Sequence, residues 1–288
     1  MLSKSNSSQN SKIGVFDSGF GGLSVYREIK KLLPDYDYIY LGDNARAPYG
    51  TRSFETIYQY TLEAVKYLFE QNCSLVILAC NTASARALRT IQQKDLVNLS
   101  PKGRVKRVLG IIRPMAEEIG YYSKTKHLGV LATPGTVESG SYEIEVSKFF
   151  PEMQVFSEAC PLWVPLIENQ QAETTAGLQI LTQNIESLLM KSPLIDTILL
   201  GCTHYPLIQS VLEKIVADKK IEVKFVAQGA VVAQKTHLYL QNHPEMNATL
   251  SQNGTTQFLS TDNSQDFDRT ASSFLGFAIQ SKQVKISV

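Results

Sequence analysis

The stretch that decides the fold is Thr197–Pro206, TILLGCTHYP. Apolar and β-branched residues run into Gly201, and Cys202, Thr203, His204, Tyr205 and Pro206 follow. A short apolar run closed by Gly and Pro reads as a strand of a parallel sheet buried on both faces. Beyond Pro206, Leu207, Ile208, Val211, Leu212 and Ile215 recur at helical spacing. Cys202 is therefore expected just past a strand's carboxyl end and near a helix amino terminus, where open α/β sheets bind ligands.

The same design occurs earlier in the chain. Residues 75–84, LVILACNTAS, are an apolar run followed by Cys80, Asn81 and Thr82, and an alanine-rich segment of high helix propensity comes next. A second pair of echoes has nearly the same offset: IGVFDSGFGG at 13–22 and LGVLATPGTV at 128–137. Two such pairs point to an internally duplicated α/β chain with one cysteine in each half.

Composition bounds the function classes. The 288 residues are 43% hydrophobic with a net charge of +1, as in an ordinary soluble globular protein. That balance offers no electrostatic case for nucleic acid or a membrane surface. No apolar run approaches the roughly 20 residues of a membrane span. The opening MLSKSNSSQNSK lacks the apolar centre of a signal peptide and reads as a polar lead-in. Four cysteines without a secretory signal read as reduced thiols of a cytoplasmic protein.

Taken in order, residues 12–18 form a first buried strand ending in Asp17-Ser18, and Gly19, Gly21 and Gly22 turn the chain into a helix around 23–33. The glycine spacing is not that of a dinucleotide site. Such a turn either offers free N–H groups to an anion or is simply an Asp-Ser helix cap with packing glycines. A strand at 37–43 leads into NARAPYGTRS, a polar loop with Pro48, Tyr49 and Gly50, then a helix over 53–71. Between Ile91 and Arg107 the pattern fails. The basic run Lys102, Arg104, Lys106 and Arg107 reads as a solvated linker, and a domain crossing is expected here. VLGII at 108–112 is taken as the opening of the second half. Strand 127–132 ends in a hydroxyl-rich turn with Thr133 and Thr136. A strand near 153–157 precedes ACPLWVPLIEN, in which Cys160 and Trp163 read as core and Glu168 follows an apolar run. A helix at 174–190 returns to the Cys202 strand. The strand and helix of VKFVAQGAVVAQKT then rejoin the first domain, 241–255 is polar and turn-like, and a helix and short strand close the chain from Phe267.

Two thiols on equivalent turns suit a substrate held between the halves with one sulfur on each face. Taking a proton from one side of a carbon and delivering one to the other inverts a stereocentre, provided each group can both accept and donate. A helix amino terminus lowers a thiol's pKa, which is expected of both cysteines. Ser18, Asn81, Thr82, Thr136 and Thr203 supply hydroxyls and an amide for a small polar anion. Asp17, Glu168 and His204 are candidates to orient thiols or an ammonium group. Other readings compete. Cys73 and Cys160 are best read as small core hydrophobes. A zinc site lacks a C-x-x-C pair, as does a redox dithiol. A thiol hydrolase could use Cys202 with His204 but leaves the Cys80 echo unexplained.

Six motifs, IGVFDSGFGGLSV, YLGDNARAPYG, ILACNTAS, GVLATPGTVESGSY, CPLWVPLIE and LLGCTHYPLI, occur in one order over most of 12–208. In these the chain resembles the glutamate racemases of the cofactor-independent aspartate/glutamate racemase superfamily. The resemblance implies two pseudo-symmetric, doubly wound parallel-sheet α/β domains with the active site in the cleft between them. The first, with Cys80, would comprise 1–107 and 225–288; the second, with Cys202, 108–224. It implies interconversion of L- and D-glutamate for peptidoglycan, without pyridoxal phosphate or metal. Cys80 would take the α-proton from D-glutamate and Cys202 from L-glutamate, with Asp17, Glu168 and His204 assisting. Asp17-Ser18, Pro48-Tyr49-Gly50, Asn81-Thr82, Thr133, Thr136 and Thr203-His204 would bind substrate. An aspartate racemase of the same superfamily is the nearest alternative, and a homodimer is left open. The chain departs from the family pattern at Ala227-Gln228-Gly229, where Asp-Ser-Gly is common, in an extended linker over 92–107, and at Arg113.

Overall fold

The structure is a computed structural model that describes residues 10–100 and 105–286. The polar lead-in over 1–9 and the basic residues Lys102 and Arg104 lie outside the described residues. Two parallel sheets organise the chain. The larger has the order β10-β9-β2-β1-β3-β4, from β1 (Lys12–Asp17), β2 (Tyr38–Gly42), β3 (Cys73–Leu78), β4 (Arg107–Gly110), β9 (Thr256–Ser260) and β10 (Ser281–Gln283). The smaller has the order β6-β5-β7-β8, from β5 (His127–Ala132), β6 (Gln154–Ala159), β7 (Thr197–Gly201) and β8 (Lys224–Val226). Every pairing is parallel. The order 2-1-3-4 thus recurs as 6-5-7-8, which is the duplication that the sequence echoes indicate.

The apolar strands are continuous because both faces of each sheet are covered. On one face of the larger sheet, Ile13, Val15 and Tyr40 pack with α1 (Leu23–Leu32) and with Val232, Ala233 and Leu240 of the helix Gly229–Asn242. On the other, Phe16, Val76 and Leu78 meet Ile57, Val65 and Leu68 of α2 (Phe54–Glu70). The smaller sheet is covered likewise, by the helix Thr175–Lys191 on one face and by Ile112, Met115 and Tyr142 on the other.

The crossings fall in different places from those expected. β4 pairs with β3, Val108 opposite Val76 and Leu109 opposite Ile77, so VLG belongs to the first sheet and the chain leaves it after Gly110. β8 pairs with β7, Phe225 opposite Ile198, so the return follows Val226, at Gln228. A periodicity argument cannot separate a last strand of one sheet from a first strand of the next, because both are short apolar runs. The polar stretch after Ile91 is also not simply a linker. It continues as helical turns to Leu99, since Ile91, Leu96 and Leu99 pack into the first domain and the Gln92 amide donates to the Val108 carbonyl at 2.7 Å. β9 was hidden because only Phe258 and Leu259 mark it among Thr, Gln and Ser. The closing helix Ser264–Leu275 begins three residues before Phe267.

Candidate active site

The carboxyl ends of both sheets face one cleft. Its walls include Ser18, Gly19, Pro48, Tyr49, Gly50, Cys80, Asn81 and Thr82 from the first domain. Thr133, Cys160, Glu168, Cys202, Thr203 and His204 come from the second. Cys80 and Cys202 sit two residues past Leu78 and directly past Gly201, the last residues of β3 and β7. Both are buried free thiols.

The two turns differ in detail. Cys80 is the N-cap of α3 (Asn81–Arg86), and its sulfur accepts the Ala83 N–H at 3.5 Å. The Ser18 hydroxyl lies 3.4 Å from the same sulfur. Cys202 does not cap an α-helix: a single tight turn, Tyr205–Ile208 with Pro206, comes first and the helix starts at Gln209. Its partner is His204, whose Nδ1 lies 3.9 Å from the sulfur while Nε2 meets Glu168 Oε1 at 3.0 Å.

Electrostatics follow these contacts. Burial, reinforced by the Asp17 charge, pushes the Cys80 thiol up to about 12, against the lowering expected from its helix terminus. The Ser18 and Ala83 hydrogen bonds offset only part of this. For His204, burial favours the neutral ring, but hydrogen bonds and charge from Cys202 and Glu168 outweigh it and raise the imidazole to about 10. The imidazole beside Cys202 is therefore shifted toward its charged form, whereas the charge that acts most on Cys80 is that of the Asp17 carboxyl. Asp17 is itself raised by burial, partly offset by His204 and by the N–H groups of Gly22 and Gly19.

The glycine turn after β1 has a specific use. Asp17 is fully buried and accepts the Gly19 N–H at 2.9 Å, so the turn presents an N–H to this carboxylate. The helix that follows has Gly22 at its N-cap with no side chain capping it, so neither Asp17 nor Ser18 is its cap. A Cβ on Gly21 would fall 2.3 Å from His204 Nδ1 and 2.4 Å from Thr203 Oγ1. Glycine there lets the first domain's turn lie directly against the second domain's Thr203-His204. Across that seam the Thr203 hydroxyl donates to Asp17 at 3.4 Å, and the Ser24 hydroxyl donates to the Thr203 carbonyl at 3.0 Å.

Not every predicted residue reaches the cleft surface. Asp17 and Thr136 stand one hydrogen bond behind it, Asp17 through Thr203 and Thr136 through Thr133, whose hydroxyls are 3.1 Å apart. Thr133 also meets Thr82 across the domains at 2.9 Å. Tyr49 lines the wall with its ring, but its hydroxyl donates to buried Asp43, which also binds Arg46 and Thr261. Asp43 gives no signal of its own in the sequence, because a lone acid after a strand is usually just a turn residue. Cys160 is buried as expected but also lines the cleft, with Pro161, Val164 and Pro165. Trp163 is core, its indole N–H on Asn184 at 2.8 Å. Among the described residues, no group of three or more His, Cys, Asp and Glu could hold a metal ion. Nor is any helix there long and apolar enough to cross a membrane.

A cleft between duplicated halves with a thiol on each side defines a class of isomerase, and comparison with known proteins agrees. The sequence pattern of the Asp/Glu/hydantoin racemase family matches residues 13–236, and the chain belongs to that family. It is 37% identical to the glutamate racemase of Levilactobacillus brevis over 93% of this chain and 92% of that protein. Identity to the enzyme of Geobacter metallireducens is also 37%, over 92% of each. Among solved structures, a Bacillus anthracis glutamate racemase superposes with a TM-score of 0.84 at 32% identity, over 97% of this chain and 99% of that one. The Francisella tularensis glutamate racemase bound to D-glutamate gives 0.82 at 30% identity, over 96% and 98%.

Proposed function

We propose that this chain interconverts L- and D-glutamate at the α-carbon, with Cys80 and Cys202 as the two bases, and so provides D-glutamate for peptidoglycan. The observation that carries the reading is the pair of buried thiols that end equivalent strands and line one cleft from opposite domains. One sulfur, as thiolate, takes the α-hydrogen as a proton and leaves the electron pair on carbon. The opposite thiol delivers its proton to the other face, so each turnover leaves thiol and thiolate exchanged. No cofactor enters this reading. Cys202 abstracts from L-glutamate and Cys80 from D-glutamate.

The surroundings suit a dicarboxylate with an ammonium group. Ser18, Asn81, Thr82, Thr133 and Thr203 offer neutral hydrogen-bonding groups along the cleft, and Glu168 offers a carboxylate beside His204. The similar Francisella and Escherichia coli enzymes hold D- and L-glutamate respectively. Four free cysteines suit a reducing cytoplasm.

Circular dichroism of D-glutamate incubated with purified protein, without added cofactor, tests the reading. The signal should decay to zero, while D-aspartate keeps its signal. An unchanged glutamate signal with a decaying aspartate signal would assign the sister activity. If Cys80→Ser were neutral and only Cys202 mattered, a thiol hydrolase using His204 would replace both.

A further inference from the structure

The Ala227-Gln228-Gly229 departure occupies the return crossing, and Gln228 is almost fully buried there. Its Nε2 reaches three oxygens: the Leu200 carbonyl at 3.2 Å, Asn81 Oδ1 at 3.1 Å and the Tyr142 hydroxyl. The Tyr142 hydroxyl in turn donates to Asn81 Oδ1 at 2.7 Å. Asn81 comes from the first domain, Leu200 and Tyr142 from the second.

This network has a direction. A backbone carbonyl can only accept, so Leu200 requires the nitrogen of the Gln228 amide to face it. That nitrogen, together with the Tyr142 hydroxyl, requires the oxygen of Asn81 to face inward. Asn81 Oδ1 therefore accepts from the Tyr142 hydroxyl and shares the second Gln228 N–H with it. Both Asn81 Nδ2 and Gln228 Oε1 are left buried without a protein partner among the described residues. Unpartnered buried amide groups are costly, and Asn81 is a wall residue of the cleft next to Cys80.

We infer that Gln228 is a positioning residue that fixes the orientation of the Asn81 amide, holding Nδ2 as a free donor for a carboxylate oxygen of the substrate. Because Gln228 lies on the crossing and binds both domains, the donor is set only when the domains are joined as they are here. The inference rests on the glutamate reading above.

Two substitutions separate this role from simple packing. Gln228→Met keeps the shape and removes the donors; KM for glutamate should rise about tenfold with kcat changed less. Gln228→Glu is closer in shape but replaces the donating Nε2 with an oxygen facing the Leu200 carbonyl and Asn81 Oδ1. The Asn81 amide should turn over and present Oδ1 to the substrate, so KM should rise more than with Gln228→Met. The decisive measurement is a double-mutant cycle on KM with Asn81→Ala, with thermal melts confirming that each variant folds. If Gln228 acts through Asn81, Gln228→Met adds little in the Asn81→Ala background. Additive effects, or a lower melting temperature with unchanged KM, would overturn the inference. Wild-type protein inactive on glutamate would instead overturn the reading on which it rests.

Discussion

The Cys80 turn and the Cys202 turn hold the same backbone position in two copies of one sheet order, yet they surround their sulfurs differently. At Cys80 the helix begins at once, the sulfur caps it, and the partners are a hydroxyl and an N–H with Asp17 nearby. At Cys202 a tight turn intervenes and the partner is an imidazole backed by Glu168. Duplication therefore accounts for where the thiols are, while side chains account for what surrounds each. Burial and Asp17 favour the neutral thiol at Cys80, while Cys202 and Glu168 outweigh burial and favour the charged ring at His204.

The largest effect should come from the sulfurs themselves. Cys80→Ser and Cys202→Ser should each lower racemisation by at least about 10³-fold, in the upper range for a lost acid–base group. Far-ultraviolet circular dichroism should show that folding survives. If the two variants differed widely, or either stayed active, the functional equivalence of the turns would fail.

A smaller and more selective effect is expected at His204. His204→Asn removes the imidazole next to Cys202 and should cost about 10²-fold. Because the equilibrium constant between enantiomers is one, kcat/KM must fall equally in both directions. The asymmetry should appear instead in the α-deuterium isotope effect, which should increase with L-glutamate more than with D-glutamate. Equal increases would mean that His204 serves both sulfurs. The same pair has a stability signature. Its imidazole is raised from 6.5 to about 10, so the stabilisation is fully present below about pH 6.5 and is lost as pH rises toward 10. Urea unfolding across that window should show the loss in the wild type and a flatter profile in His204→Asn.

The smallest effect tests the seam between the turns. Gly21→Ala places a methyl group 2.3 Å from His204 Nδ1, so the two domains must shift apart locally. Overpacking of this kind costs about 1–3 kcal/mol, measurable as a lower denaturation midpoint. If activity and stability were both unchanged, the close approach would not matter to the Cys202 side.

Much of this was legible in the chain. Buried parallel strands are continuous apolar runs, so TILLG and LVILA identify themselves, and a cysteine directly after each marks its place at the sheet edge. The duplication, both sulfurs, and Ser18, Asn81, Thr82 and Thr203 on the cleft wall follow from such local patterns. Only the tertiary structure decided what depends on residues distant in sequence. Thr203 meets Asp17 from 186 positions away, and Gln228 meets Asn81 from 147. Local periodicity does not encode such pairs, nor the burial that pushes Cys80 up rather than down. For the same reason the crossings after Gly110 and at Gln228 were misplaced: which sheet accepts a short apolar strand is settled by pairing across space. The sequence by itself determined two sheets and two thiols, because burial patterns are local. Their partners and shared cleft came from the way the two halves meet.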